Sequence, residues 1–207
     1  PILVMRTPYS CSPYGDEFLG YLNKNYLYRN YLRRGYILVF QDVRGRFMSE
    51  GEYENIRPVL GDINEATDSY DTVDWLVNNI EGNNGRVGFY GCSYPGFYAM
   101  MAGINAHPAV KAISPQAPVT NWFMGDDVHH NGVMMIIDSF NFIPKMSHTN
   151  HTPTTEWEAT REHENTPDQY TFFLGATRDS LRSIMHPSSF WDAMSEHPNY
   201  DEWWQAR

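Results

Sequence analysis

The fold of this chain is decided by the segment Val87-Gly88-Phe89-Tyr90-Gly91-Cys92-Ser93-Tyr94-Pro95-Gly96. Its first four residues form an apolar run that predicts a buried strand, and the apolar stretch 97–102 behind it predicts a helix. Ser93 lies at the apex of the short turn between them, with Gly91 two positions before it and Gly96 three positions after it. The segment therefore predicts a strand, a very tight turn and a helix, with a serine hydroxyl presented at the turn.

A serine in this setting is typical of a nucleophile elbow, the turn that carries the catalytic serine of α/β-hydrolases. The elbow strains the backbone at the serine, so the neighbouring positions must be small, and glycine satisfies that requirement. Gly96 stands one position later than the second glycine of the usual Gly-x-Ser-x-Gly pattern. The alternative is an ordinary strand-to-helix turn in which two glycines bracket a serine by chance. The strand and the helix predicted on either side favour the elbow.

Apolar patterns outside this segment predict a sheet of parallel strands. Further strands are expected at residues 2–5, 36–40 and 110–114, and helices at 16–34, at 62–80 and from the elbow to about 105. In the helix at 62–80 apolar residues recur every three or four positions, and Asp62 with Glu65 resembles a capping box. Strands that alternate with helices indicate a mostly parallel, doubly wound α/β sheet with right-handed crossovers. The expected fold is a partial α/β-hydrolase sheet with a helical cap.

We place the boundary between these two parts near residue 120. Residues 1–120 are expected to form the amino-terminal part of the α/β-hydrolase core. Residues 121–207 alternate helix-like apolar stretches with loops rich in Pro, His and Thr and have no clear strand, so they are expected to form the cap. A disordered tail is the alternative, but the many aromatic residues of this segment do not fit the composition of disordered chains.

Composition restricts the partners of the chain. A formal charge of −10 over 207 residues disfavours nucleic acid, which needs a basic face. No apolar run approaches the roughly 20 residues of a membrane helix, and two cysteines are too few for a disulfide framework. We expect the substrate to be a small ester, an amide or a short peptide. We expect no cofactor and no metal, and no nucleic acid or membrane as a partner, and the sequence leaves open whether the protein is a homo-oligomer. The chain begins inside a strand without an initiator Met, so we expect it to be cut at its amino end, and both a cytoplasmic and an exported location stay open.

A catalytic serine needs two further groups, because its hydroxyl is a weak nucleophile that depends on a histidine base oriented by a carboxylate. In an α/β-hydrolase both groups follow the serine, on loops after later strands. Only one predicted strand follows Ser93, and none of the eight histidines, all of which lie behind it, follows a sheet strand in the required manner. We therefore expect the acid and the base to lie beyond Arg207. The alternative is a base in the cap, such as His130.

Several motifs occur in order along the chain. They are Met5-Arg6-Thr7-Pro8-Tyr9, Gln41-Asp42-Val43-Arg44-Gly45-Arg46, Ser49-Glu50-Gly51, the stretch 68–75, the elbow, and Gly125-Asp126-Asp127-Val128-His129-His130-Asn131-Gly132. Together they make the chain resemble the family of X-prolyl dipeptidyl aminopeptidases, cocaine esterase and α-amino acid ester hydrolases. The last motif is most similar to the α-amino acid ester hydrolases and the glutaryl-7-aminocephalosporanic acid acylases. The resemblance covers essentially the whole chain, and it implies a later Asp and His and then a carboxy-terminal jelly-roll domain.

The resemblance also implies roles for particular residues. Ser93 is the nucleophile. The backbone N–H of Tyr94 and the hydroxyl of Tyr9 are the two oxyanion donors, and Asp127 belongs to a carboxylate cluster that binds the α-ammonium group of the substrate. The implied activity is a serine hydrolase that cleaves ester or amide bonds through an acyl-enzyme, on α-amino acyl esters or the acyl side chains of β-lactams. Release of X-Pro dipeptides, general carboxylester hydrolysis and a non-catalytic ligand-binding scaffold are the alternatives.

Three of these segments admit other interpretations. Tyr9 could be a surface aromatic in the turn after a proline. The segment 126–130 offers carboxylates and imidazoles to a metal ion, but it lacks an HExxH or CxxC arrangement, so a polar helix start at the floor of the pocket is expected instead. Arg44 and Arg46 are expected to be ion-pair partners of loop carboxylates rather than substrate-binding groups.

Overall fold

The computed structural model describes residues 1–125, 128–146, 149–157, 168–185 and 189–207. Its main feature is a four-stranded sheet in the order β2-β1-β3-β4, built from β1 (Ile2–Thr7), β2 (Ile37–Asp42), β3 (Val87–Cys92) and β4 (Val110–Gln116). Every pairing in this sheet is parallel, which confirms the predicted α/β class. Each strand runs past its predicted end into polar or small residues, so the apolar runs mark the strands but not their carboxyl ends.

The helix expected at residues 16–34 is wrong as a single element. The chain forms α1 (Glu17–Lys24) and α2 (Tyr26–Arg33), separated by Asn25, whose backbone is extended with ψ 119°. The Asn25 carboxamide oxygen accepts the N–H groups of Leu27 and Tyr28 at 3.0 and 3.3 Å. An asparagine that caps in this way offers the backbone an alternative to helix continuation, so a new helix begins there.

The helix expected at 62–80 is observed as α3 (Glu65–Asn79), with a different cap. Asn64 and Thr67 form the capping box, and the expected pair of Asp62 and Glu65 does not. Glu65 instead turns into the protein, where its carboxylate lies 3.0 Å from the Arg6 guanidinium and burial raises its pKa. The helix after the elbow, α4 (Tyr94–Met101), is shorter than predicted.

Two apolar clusters pack against α4 from different sides. The first fills the space between the sheet and helices α3 and α4; its buried members are Ile2, Val4, Val73, Leu76, Val87, Phe89, Ala99, Ala102 and Ala109. The second is largely aromatic and joins α4 to the chain after residue 118; it includes Tyr94, Phe97, Tyr98, Trp122, Phe123, Phe140, Trp191 and Trp204. Helix α4 is therefore buried along most of its length, from Tyr94 to Ala99.

The described ranges after residue 120 are folded, so the disordered-tail alternative is wrong for them. They contain α5 (Ile136–Phe142), a 3-10 turn (Ile143–Met146), α6 (Gln169–Gly175), α7 (Arg178–Met185), α8 (Ser189–Glu196) and α9 (Glu202–Gln205). The expectation that this part has no strand is also wrong, because β5 (His129–His130) and β6 (Val133–Met134) form an antiparallel hairpin. Asn131 and Gly132 supply the two positive φ angles, 50° and 80°, that a two-residue hairpin turn requires. A domain boundary near residue 120 stays a prediction.

Candidate active site

Ser93 lies at the end of β3 and directly before α4, in a strained backbone conformation. Its φ of 62° and ψ of −127° are unusual for any residue other than glycine. Two hydrogen bonds hold this geometry, one from the Ser93 N–H to the Gln116 carbonyl at 2.9 Å and one from the Phe97 N–H to the Ser93 carbonyl at 3.0 Å. The side chain is exposed at the carboxyl end of the sheet. The structure thus has the strand, tight turn and helix that the sequence predicts.

Close backbone approaches explain both glycines of the elbow. A Cβ atom at Gly91 would lie 2.2 Å from the Pro95 carbonyl oxygen, and one at Gly96 would lie 2.5 Å from the Gln116 carbonyl oxygen. No side chain fits at such distances from backbone atoms. The second glycine therefore stands at position 96, because that residue faces the last residue of β4 while Pro95 faces Gly91.

The side chain of Tyr94 anchors a neighbouring loop. Its buried hydroxyl accepts the Ile56 N–H at 2.8 Å and donates to the Asn55 carboxamide oxygen, and the Tyr53 hydroxyl lies 3.3 Å from it. Burial raises the pKa of the Tyr94 phenol well above its ordinary value, so the group stays protonated. The backbone N–H of Tyr94 is in the first turn of α4, where amides have no acceptor within the helix.

Tyr9 lies beside the elbow rather than on an open surface. It is half-buried, and its ring meets the Tyr94 ring edge-on, with centroids 6.2 Å apart and an interplanar angle of 89°. The interpretation of Tyr9 as a surface turn aromatic is therefore wrong. The Arg46 guanidinium donates to the Pro8 carbonyl at 3.2 Å and to the Lys145 carbonyl at 3.0 Å, so it links the Tyr9 segment to the chain after α5.

A cavity of about 450 Å³ opens at Ser93. Its lining residues are Asn55, Ser93, Trp122, Val128, Asp138, Ser139, Asn141, Phe142, Ile143, Lys145 and Phe190. Most of the wall facing the serine thus comes from residues after 120, in α5, the 3-10 turn and α8. Five aromatic or aliphatic side chains make it apolar, while Asn55 and Ser139 are buried polar members. The volume is that of a site for a small organic ligand.

The sequence did not point to Asn55, Asp138, Ser139 or Lys145. None belongs to a motif, and each reaches the cavity only through tertiary packing. A weak signal existed at Asn55, which lies in the polar loop between two of the ordered motifs.

The Asp127 prediction falls outside the described residues, as does Asp126. The chain reaches the cavity immediately after them, since Val128 lines it. The expected polar helix start at 126–130 is wrong for its described end, which is strand β5. His129 is buried there, with its ring 4.3 Å from the Phe123 ring, and its Nδ1 has no hydrogen-bond partner in the described part of the chain. Burial lowers the pKa of His129.

No histidine among the described residues lines the cavity. His130 is exposed on the hairpin. His197 pairs with Asp201 at 2.6 Å from Nδ1 to Oδ2, and its ring stacks on Trp203 outside the cavity lining. Groups of three or more His, Cys, Asp or Glu side chains that could hold a metal ion are not found in the described ranges.

The two arginines of the second motif have different partners. Arg44 forms the expected ion pair, with 2.9 Å between its Nε and Asp68 Oδ2, although this carboxylate belongs to helix α3 rather than to a loop. Arg46 is buried, donates to backbone carbonyls and lies over the rings of Phe47 and Tyr53.

None of the helices in the described part of the chain is both long enough and apolar enough to cross a lipid bilayer.

Comparison with known proteins identifies relatives for the whole chain. Residues 1–207 match the family described as X-Pro dipeptidyl-peptidase (S15 family). The chain is 31% identical over 117 residues to cocaine esterase of Rhodococcus sp. (strain MB1 Bresler), an alignment that covers 56% of this chain and 18% of the esterase.

Solved structures with the same fold cover the entire chain. An aminopeptidase from the marine sediment archaeon Thaumarchaeota archaeon is 33% identical with a TM-score of 0.80, over 100% of this chain and 35% of its own. An α-amino acid ester hydrolase labelled with selenomethionine is 32% identical with a TM-score of 0.80, over 100% of this chain and 34% of its own. The chain thus spans about a third of the length of these solved relatives. The match over all of its residues confirms the family that the ordered motifs predict, and the chain belongs to the X-Pro dipeptidyl-peptidase (S15) family.

Proposed function

We propose that this chain carries the nucleophile and the oxyanion hole of a serine hydrolase. The observation that supports this most directly is the strained, exposed Ser93 at the mouth of the cavity, at the end of β3 and the start of α4. In the proposed reaction the Ser93 hydroxyl attacks the carbonyl of an ester or amide, the alcohol or amine leaves, and water releases the acyl group from the serine. A protein that only bound a ligand would have no need of strain at this position.

The proposed oxyanion hole combines a backbone and a side-chain donor. The Tyr94 N–H has no acceptor within α4, and the positive end of the helix dipole favours negative charge beside it. The Tyr9 hydroxyl is the second donor, on a ring that packs against Tyr94. Donors that packing fixes beside the reacting carbonyl stabilise a developing oxyanion by several kcal/mol.

We place the triad acid and base outside residues 1–207. Two observations support this placement. No described histidine lines the cavity, and β4 leaves residues 111–114 exposed at one edge of a parallel sheet, although such sheets are normally covered. Strands added at this edge would bring their carboxyl ends beside Ser93. His130 is the alternative base.

For the substrate we propose an acyl group that carries an α-amine. The names of two relatives, an α-amino acid ester hydrolase and an aminopeptidase, support this choice. Asp127, directly before the cavity-lining Val128, is the proposed partner of the ammonium group. The family's description and the cocaine esterase relative favour X-Pro dipeptides and plain carboxylesters as second candidates.

Substitution of the serine tests the mechanism in the complete protein. Ser93→Ala should lower the turnover of p-nitrophenyl esters by several orders of magnitude, in the range of about 10⁴ to 10⁶ seen when a nucleophile is removed. The matched control is Ser183→Ala, an exposed serine of α7 that should leave turnover unchanged. Near-normal turnover in Ser93→Ala would exclude the mechanism.

A fluorophosphonate probe tests the placement of the base, because it labels only an activated serine. It should label Ser93 in the complete protein and hardly label residues 1–207 alone. Strong labelling of residues 1–207 that is lost in His130→Ala would move the base into the described chain.

A further inference from the structure

A serine of α5 that lines the cavity carries a hydroxyl that no described residue uses. Ser139 is 2% exposed, and its Oγ has no hydrogen-bond partner among the described residues. A serine inside a helix ordinarily turns its hydroxyl back to the carbonyl four residues earlier. Here the Met135 carbonyl accepts the Ser139 N–H at 2.9 Å, but the hydroxyl does not share that acceptor. Because buried hydroxyls are nearly always bonded, this one is open to a partner outside the described residues, and a ligand in the cavity that Ser139 lines can supply it.

Asn55 brings a second group to the same cavity, and its orientation is fixed. The Asn55 Oδ1 accepts from the Tyr94 hydroxyl and lies 3.4 Å from the Tyr53 hydroxyl. The Tyr94 oxygen already accepts the Ile56 N–H, so its proton must go to an acceptor, and only the oxygen end of the amide can take it. The hydroxyls of Tyr53 and Tyr94 thereby fix the orientation of the carboxamide, with the Asn55 NH₂ group pointing away from them. This NH₂ group donates to no protein acceptor among the described residues, although Asn55 is only 5% exposed.

The two buried polar groups of the wall are both neutral. Asp138 and Lys145 also line the cavity, but both are exposed. A buried charged ligand group would need a buried counter-charge, whereas a carbonyl oxygen is satisfied by the two donors that Asn55 and Ser139 offer.

We propose that Asn55 and Ser139 form a specificity subsite that hydrogen-bonds a second carbonyl group of the substrate, on the acyl chain and separate from the carbonyl that Ser93 attacks. This subsite rests on the proposed function, since it orients an acyl group in the cavity of the nucleophile. Asn55 and Ser139 act as binding residues, and the hydroxyls of Tyr53 and Tyr94 position the amide.

Esters matched in size test the subsite. The substrates are p-nitrophenyl hexanoate and its 4-oxo and 5-oxo analogues, which differ by one carbonyl group, and the measured quantity is the ratio of kcat/KM for an oxo ester to that for the hexanoate. The wild-type complete protein should prefer at least one oxo ester by about tenfold. Ser139→Ala should lower this preference by about threefold to tenfold, the effect of one lost neutral hydrogen bond, through KM rather than kcat.

A buried serine elsewhere provides the control. Ser69 is also 2% exposed, but its hydroxyl donates to the Glu65 carbonyl at 2.7 Å and accepts from Arg6. Ser69→Ala should lower the melting temperature and leave the ratio unchanged, whereas Ser139→Ala should lower the ratio without lowering the melting temperature. Asn55→Asp, which keeps the acceptor for Tyr94 and removes the NH₂ donor, should lower the ratio as well.

Binding without turnover separates this inference from the proposed function. In Ser93→Ala protein, calorimetry on the methyl esters of the same acids should give a tighter Kd for the oxo ester, and the added Ser139→Ala substitution should remove the difference. Two outcomes would overturn the subsite even if Ser93 proves to be the nucleophile. One is an equal Kd for the oxo and the alkyl ester when Ser139 is present. The other is an equal loss of affinity for both esters in Ser139→Ala, which is expected if the hydroxyl binds an ordered water.

Discussion

Two phenylalanine substitutions should separate the chemistry of the elbow from its support. Tyr9→Phe and Tyr94→Phe each remove one phenol oxygen from a pair of rings that pack edge-on. In the proposed mechanism the Tyr9 hydroxyl contacts the oxyanion, whereas Tyr94 contributes its backbone N–H and uses its hydroxyl for structure. The two variants should therefore lose different properties.

The expected cost of Tyr94→Phe follows from its hydrogen bonds. The substitution leaves the Ile56 N–H without its acceptor and the Asn55 oxygen without its nearest donor. Both residues are buried, at 1% and 5% exposure, and each unsatisfied buried group costs about 1–3 kcal/mol. Tyr53 is still close enough to Asn55 to donate, so we expect a loss of about 3 kcal/mol in the free energy of unfolding. Because the backbone donor remains, kcat should fall by less than about tenfold.

Tyr9→Phe should show the reverse pattern. The ring and its contact with Tyr94 remain, so the free energy of unfolding should change by less than about 1 kcal/mol. Loss of one oxyanion donor should lower kcat by about 10² to 10³, or about 2.7–4 kcal/mol of transition-state stabilisation. Urea unfolding and the kcat for p-nitrophenyl acetate measure the two effects in the complete protein. A Tyr9→Phe enzyme with near-normal kcat would refute the assignment of its hydroxyl, and a fully stable Tyr94→Phe protein would refute the structural role of the phenol.

Three further substitutions test other parts of the structure. Gly96→Ala should destabilise the fold by about 3 kcal/mol, since its Cβ would lie 2.5 Å from the Gln116 carbonyl oxygen, whereas Gly20→Ala, in open space on α1, should stabilise it by about 0.5–1 kcal/mol in urea unfolding. Burial lowers the pKa of His129 in the folded protein, whereas in the unfolded chain it is near its ordinary value of about 6.5. As the pH drops from 7 to 5 the unfolded chain therefore takes up this proton before the folded protein does, so the free energy of unfolding should fall. His129→Phe should flatten this pH dependence, and equal slopes in wild type and variant would exclude His129 as the cause. Asp127→Asn should reduce the kcat/KM ratio of phenylglycine methyl ester to its des-amino analogue by a factor equivalent to about 2–5 kcal/mol. A wild-type ratio near one that is unchanged in the variant would exclude recognition of the amine and favour a general esterase.

The strands and the elbow could be predicted because their signals are local. An apolar run marks a buried strand wherever it occurs, and the spacing of Gly91, Ser93 and Gly96 reflects contacts within one turn and with the adjacent strand. The break at Asn25 was missed because side-chain capping is a local choice that apolar periodicity does not register. The cap of α3 was assigned to Asp62 and Glu65, although Asn64 and Thr67 two positions later form it. The hairpin at 129–134 was missed although its Asn-Gly turn is a strong hairpin signal, since strands of two residues leave no alternating pattern.

The walls of the candidate site could not be predicted in the same way. Asn55 lies 38 residues before Ser93 and Ser139 lies 46 residues after it, and neither position carries a motif. Their meeting depends on how the aromatic cluster packs α5 and α8 against α4. Such contacts are set by tertiary packing, which leaves no regular spacing in the sequence.

The strain at Ser93 connects the turn between β3 and α4 to the chain after residue 120. A residue with φ of 62° keeps that conformation only where its surroundings fix it. Helix α4 begins at the next residue, and it is held by the sheet on one side and by the aromatic cluster around Trp122 on the other. Arg46 adds a second link, because one guanidinium binds the carbonyls of Pro8 and Lys145. The residues that form the cavity wall therefore also hold Ser93 and the Tyr9 segment in place, so a change that loosens the wall should lower kcat as well as alter substrate choice.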